Sequence, residues 1–173
     1  MDLKKYLITA VPSFLQLRKH RPAFALYRDK ESKEYAFHAQ NFVQMCKLVP
    51  DLKAFLHQDY RLARELNAVG VHLTSLQFDD ITTAKELGLE VIISCHTKEE
   101  VLNAEELGAD YVTYSPIFST PNKGEPKGVR DLQNIVNSTS LKVFALGGII
   151  TEEQVKEVEK SGAYGFASIR YFK

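Results

Sequence analysis

Eight short apolar runs, each parted from the next by polar or helix-patterned sequence, leave this chain little choice of architecture. They are KYLITA (5–10), AFALYR (23–28), LKAFLH (52–57), GVHL (70–73), EVIISCH (90–96), DYVTYSPIF (110–118), KVFALGG (142–148) and YGFASIRYF (164–172). Runs that are apolar on both faces suit parallel strands covered by helices. The intervening sequence supplies such helices: YAFHAQNFVQMCKLV (35–49) has helical apolar spacing, and YRLAREL (60–66) is a short helix. DDITTAKELG (79–88) opens on carboxylates and stops at Gly88. TKEEVLNAEELG (97–108) and TEEQVKEVEKSG (151–162) share one grammar: a Thr cap, early Glu residues and a terminal Gly. Eight strands alternating with helices predict an α/β fold, a single (β/α)8 TIM-type barrel domain spanning 1–173.

Two features strain that barrel. The chain has 173 residues, fewer than the roughly 200 at the lower end for such barrels. The eighth run also reaches Phe172, which leaves a shortened barrel lacking the last helix. The segment after the first strand, PSFLQLRKHRP (12–22), is short and basic for a covering helix. The expectation is a thinly covered seam, which a second copy in a homodimer would cover.

Charge narrows the partners. Lys+Arg and Asp+Glu both number 22, so no global field favours nucleic acid or an anionic membrane, and any anion site must be local. No apolar run approaches the roughly 20 residues that span a bilayer, and the first apolar run reads as a strand rather than a signal peptide. Cys46 and Cys95 have no metal-ligand spacing and suit a reducing compartment, so the expected location is the cytoplasm.

In a β/α barrel, chemistry sits at the C-terminal ends of the strands. Those ends carry Arg28, Asp29 and Lys30; His57, Gln58 and Asp59; His72, Thr74 and Ser75; Ser94, Cys95 and His96; Ser115, Thr120, Asn122 and Lys123; Gly147 and Gly148; and Ser168 and Arg170. Arg, Lys, hydroxyls and paired glycines are phosphate-binding groups: Arg forks onto two oxygens, Lys supplies a point charge, and Gly lets backbone N–H groups approach. The Gly pair also suits a plain tight turn. Lys123 lies in a loop rich in Gly and Pro beyond the sixth strand, where it can act as a lid over the mouth or stand in solvent. Small phosphate-bearing molecules are the expected partners.

The motifs GVHL, ISCHT, GADYVTYSPIFSTPNK, FALGGI and SGAYGFASI, in that order, resemble the thiamine phosphate synthase / thiazole tautomerase superfamily. The most specific piece is the run from GADY through PIF to Thr120 and Lys123, and LYRDK (26–30) resembles the family's Q-L-R-E-K motif. The resemblance implies joining of hydroxymethylpyrimidine pyrophosphate to thiazole phosphate, with Mg²⁺ assisting the departing pyrophosphate. It further implies that Arg28, Lys30, Ser94 and Lys123 grip pyrophosphate. Thr120 and the backbone at Gly147, Gly148, Ile169 and Arg170 would then hold the thiazole phosphate.

The departures from the family pattern bear on the metal and on acid/base chemistry. Leu26 stands where the family has Gln, and Asn122 where it has a second Thr. The family's Asn-Asp pair reads His57-Gln58-Asp59, so Asp59 or Gln58 takes the Asp position, and Gln77 occupies the place of the second metal carboxylate. Asp59 is thus the candidate Mg²⁺ ligand. Pro116 stands where the tautomerase branch has its His, leaving His57, His72 or His96 as acid/base candidates; Cys95 is a candidate nucleophile only if a base activates it. Three readings follow: a synthase, a tautomerase-like isomerase, and a non-catalytic binder of a phosphate ligand.

Overall fold

A computed structural model of the chain describes residues 2–173. Its elements run β1 (Lys4–Thr9), α1 (Phe14–His20), β2 (Phe24–Tyr27), α2 (Tyr35–Lys47), β3 (Lys53–His57), α3 (Tyr60–Glu65), β4 (Gly70–Leu73), α4 (Ile81–Glu86), β5 (Glu90–Cys95), α5 (Lys98–Leu107), β6 (Tyr111–Tyr114), α6 (Gly128–Ser138), β7 (Lys142–Leu146), α7 (Glu152–Lys160) and β8 (Gly165–Ser168). All neighbouring strands pair in parallel, and β8 returns to β1, closing an eight-stranded barrel. No helix among the described residues is long and apolar enough to cross a membrane.

The caps read from sequence are in place. Thr97 accepts the Glu100 N–H at the start of α5, and Thr151 with Gln154 forms a capping box on α7. One helix escapes the sequence grammar: α6 opens at Gly128 behind Lys127, which makes no side-chain cap. Its amphipathic spacing, which buries Leu132 and Ile135, was the available signal.

Strand alternation divides the core into two layers. Outward residues such as Leu7, Val71, Ile93 and Val143 pack under the helices. Inward residues Tyr6, Phe24, Phe55, Tyr111 and Phe144 fill the barrel with rings in contact, Phe24 and Phe144 lying 5.0 Å apart edge-to-face. Two strand glycines make room for those rings: a Cβ on Gly70 would stand 2.5 Å from the Phe55 ring, and one on Gly165 would stand 2.6 Å from Phe144. At the N-terminal opening Lys53 pairs with Glu90 at 2.7 Å, and Lys142 lies over the Tyr111 and Tyr164 rings. That end is therefore plugged.

Three strands stop two or more residues before the C-terminal ends of their apolar runs. β6 stops at Tyr114, and the chain leaves the sheet through Ser115 and Pro116, the latter bringing no N–H to the ladder. β7 stops at Leu146 because Gly147 and Gly148 turn to positive φ (105° and 69°). β8 stops at Ser168, and a 3-10 turn, Arg170–Phe172, follows it. That turn covers the seam from within the chain. Phe172 is 1 % exposed, stacks on Phe166 of β8 and meets His20 of α1 edge-on. Gln16 of α1 donates to the Phe172 carbonyl at 2.9 Å, and the Tyr171 hydroxyl donates to Glu152 of α7.

Candidate active site

The barrel axis leaves one open end, where the eight strands terminate. β2 delivers Arg28 and Lys30 there, and β3 delivers His57. The Arg28 N–H is tied to the Thr9 carbonyl at 2.9 Å, and the His57 N–H donates to the Tyr35 hydroxyl at 3.1 Å, so both bases of attachment are rigid. Burial together with the Arg28 and Lys30 charges pushes His57 down to about 4. The ring is therefore neutral at pH 7.

One strand further round, His72 lies 3 % exposed inside the barrel. Its Nδ1 is 2.8 Å from the Tyr6 hydroxyl and its Nε2 is 3.0 Å from Ser94 Oγ at the end of β5. Burial, His57 and Arg28 hold it neutral, with its value lowered to about 3. Neither histidine can readily carry a proton near neutrality, so the acid/base role considered for them loses its footing. His96 points elsewhere, its Nδ1 lying 3.8 Å from Glu100 of α5.

The loop after β6 is a pinned arm. Ile117 and Phe118 N–H groups donate to the Leu146 and Gly147 carbonyls, while Lys127 and Gly128 donate back to Pro116 and Ile117. Between these anchors residues 119–126 project into solvent, apart from half-buried Thr120, and exposed Lys123 sits at the tip. Asn122 and Gly124 take positive φ to turn the arm. The Thr120 hydroxyl donates to the Phe118 carbonyl at 3.0 Å, so it braces the arm and offers a ligand only its lone pairs.

Gly147 and Gly148 back onto that arm. A Cβ on Gly147 would stand 2.7 Å from Pro116 Cα, and one on Gly148 would stand 2.4 Å from the Ser119 carbonyl oxygen. The glycine pair is required by this close approach of two backbones. Beside it, Ser168 Oγ donates to the Ile149 carbonyl at 2.8 Å and accepts the Tyr171 N–H at 3.1 Å, stitching the β7 and β8 loops together. Gly148, Ile169 and Arg170 line that stitched edge, the last two exposed.

Among the described residues the cations at the mouth make no ion pair, the pairs being Lys53–Glu90, Lys85–Asp110 and His96–Glu100. Arg28, Lys30, Lys123 and Arg170 enter none of them. Asp29 and Asp59 lie at the same strand ends, so cations and carboxylates share this end of the barrel.

The metal candidate is otherwise engaged. Asp59 caps α3, its Oδ1 accepting the Leu62 N–H at 2.9 Å. Gln77 accepts the Thr74 N–H and donates to the Gln58 carbonyl and to Asp80 Oδ2, so an amide is locked where a second carboxylate was sought. No cluster of three or more His, Cys, Asp or Glu suited to a metal exists among the described residues. This donor set does not fit a Mg²⁺ held by the protein alone. Cys95 is also excluded from chemistry: it is fully buried on the helix side of β5, and burial pushes its thiol up.

The class is a TIM-type β/α barrel whose open end carries Arg28, Lys30, an anchored Lys-bearing arm and a stitched glycine edge. Comparison with known proteins makes the class specific. The chain belongs to the thiamine monophosphate synthase family, whose model matches residues 5–172. The thiamine-phosphate synthase of Clostridium acetobutylicum is 32 % identical over 98 % of this chain and 86 % of its own length. That of Methanosarcina barkeri is 34 % identical over 82 % of this chain and 66 % of its own. Among solved structures, a thiamine phosphate pyrophosphorylase from Pyrococcus furiosus superposes with a TM-score of 0.81 at 29 % identity, covering 96 % of this chain and 85 % of that one.

Proposed function

We propose that this protein joins hydroxymethylpyrimidine pyrophosphate to thiazole phosphate, giving thiamine phosphate and pyrophosphate. The observation that carries the reading is the placement of Arg28, Lys30, Ser94 and the Lys123 arm at the strand-end mouth of a barrel of the thiamine monophosphate synthase family. The C–O bond to the pyrimidine methylene breaks, and its electron pair leaves with pyrophosphate. The thiazole nitrogen lone pair forms the new C–N bond. The step moves no proton, which suits a site whose histidines are neutral. Its demand is charge stabilisation on the leaving group, which preorganised cations supply.

In this reading Arg28, Lys30 and Lys123 hold the pyrophosphate and Ser94 donates to it. The thiazole phosphate lies against the Gly147–Gly148 edge with Ile169 and Arg170, and Asn122 shapes the arm that closes over both. Mg²⁺ arrives as part of the substrate, on the pyrophosphate oxygens, in keeping with its habit of binding phosphates with few carboxylates. An isomerase reading requires a group that takes and returns a proton near pH 7, and the lowered values of His57 and His72 disfavour it. The test is pyrophosphate release by the full chain in Mg²⁺ buffer. Release that requires both substrates supports the proposal; no release by a folded sample removes it.

A further inference from the structure

Three strands bring polar atoms into line inside a barrel filled mainly by apolar side chains. Tyr6 on β1 is fully buried, His72 on β4 is nearly so, and Ser94 on β5 reaches the mouth. The contacts Tyr6 Oη–His72 Nδ1 (2.8 Å) and His72 Nε2–Ser94 Oγ (3.0 Å) join residues 66 and 22 positions apart in sequence.

The direction of this chain follows from hydrogen counting. His72 Nδ1 is the one acceptor in reach of the Tyr6 hydroxyl among the described residues. Burial keeps that phenol protonated. Were Nδ1 to carry a hydrogen, the Tyr6 proton would be buried without an acceptor, a costly arrangement. Tyr6 therefore donates and Nδ1 accepts. The neutral ring then carries its hydrogen on Nε2 and donates to Ser94 Oγ. Ser94 has thereby accepted its bond, and its own hydrogen has no protein acceptor among the described residues. Thr113, its partner in the β5–β6 register, is also no outlet: its Oγ1 is buried and makes no hydrogen bond.

We propose that Tyr6 and His72 are positioning residues that leave the Ser94 hydroxyl hydrogen free to donate into the mouth, favouring an accepting ligand oxygen such as a pyrophosphate oxyanion. The inference rests on the phosphate reading of the mouth for its ligand, and on geometry alone for its direction. A ligand presenting only an N–H to Ser94 would leave that hydroxyl hydrogen without an acceptor.

The test uses the full chain labelled with ¹⁵N-histidine. Long-range ¹H–¹⁵N correlation at neutral pH is expected to show His72 protonated on Nε2 and bare on Nδ1. Tyr6→Phe, which preserves the ring packing, is expected to mix the two tautomers and to weaken pyrophosphate binding about tenfold, the scale of one hydrogen bond. His72→Gln, whose amide can still donate to Ser94, is expected to retain more binding than His72→Leu. An Nδ1–H ring in the native protein, or Tyr6→Phe binding pyrophosphate as tightly as native, overturns the relay. An Nε2–H ring in a native protein that binds no pyrophosphate overturns the ligand assigned to the mouth and leaves the direction of the relay standing.

Discussion

Phe172 lies flat against Phe166, the ring centroids 5.9 Å apart and the planes within 6° of parallel. Through that contact a three-residue turn does the covering work of a helix, since Phe172 also touches His20 and takes a hydrogen bond from Gln16 of α1. Phe172→Ala should cost about 3–5 kcal/mol of unfolding free energy, the usual loss for a buried Phe. Urea denaturation monitored by circular dichroism checks it. A midpoint equal to that of the native chain would mean that the seam does not depend on this ring.

The contact between Gly147 and the Pro116 backbone separates two costs of replacing glycine. Gly147→Ala must bear positive φ and also a Cβ 2.7 Å from Pro116 Cα, whereas Gly88→Ala bears positive φ (83°) with nothing within 4 Å. Gly88→Ala should lose about 1 kcal/mol. Gly147→Ala should lose clearly more and displace the β6 arm as well, so catalysis falls beyond what the stability loss explains. Equal stabilities for the two variants would contradict this account of the glycine pair.

Protonation of the buried histidines links stability to pH. His57 and His72 are lowered in the folded protein to about 4 and about 3, below the unfolded value of about 6.5. The unfolded chain then binds more protons between these limits, so stability is fully present above about 6.5 and falls as pH drops through the folded values. Urea midpoints from pH 7 to pH 4 should decline, and His72→Gln should flatten the slope. Arg28→Met removes one of the charges depressing His57 and should raise the His57 titration midpoint observed by NMR.

Lys123 stands exposed at the tip of an arm anchored by bonds that do not involve its side chain. Lys123→Ala should leave the unfolding midpoint within error of native and lower kcat/KM by about a hundredfold, the lower range for losing one transition-state charge contact. Unchanged kcat/KM would make it a solvated lysine.

The barrel was legible because its signals are local. Strand runs, the Thr97 and Thr151 caps and the terminal glycines of α5 and α7 all act within a few residues, so periodicity and capping grammar report them. Where the reading slipped, a longer-range contact decided. YGFASIRYF is apolar throughout, yet Ser168 ends the strand by bonding Ile149, nineteen positions away. The cations, hydroxyls and paired glycines at the strand ends were visible from residue type and place. The line from Tyr6 through His72 to Ser94 was not, since only closure of the barrel puts those side chains within hydrogen-bond reach.

The central claim is the joining reaction, and one quenched reaction tests it most directly. The full chain is mixed with hydroxymethylpyrimidine pyrophosphate and thiazole phosphate in Mg²⁺ buffer, and thiamine phosphate and pyrophosphate are quantified together by mass. The account predicts both products in equal amounts, with neither formed when one substrate is omitted. Pyrophosphate released without thiamine phosphate, or no product from a folded sample that binds both substrates, would contradict it.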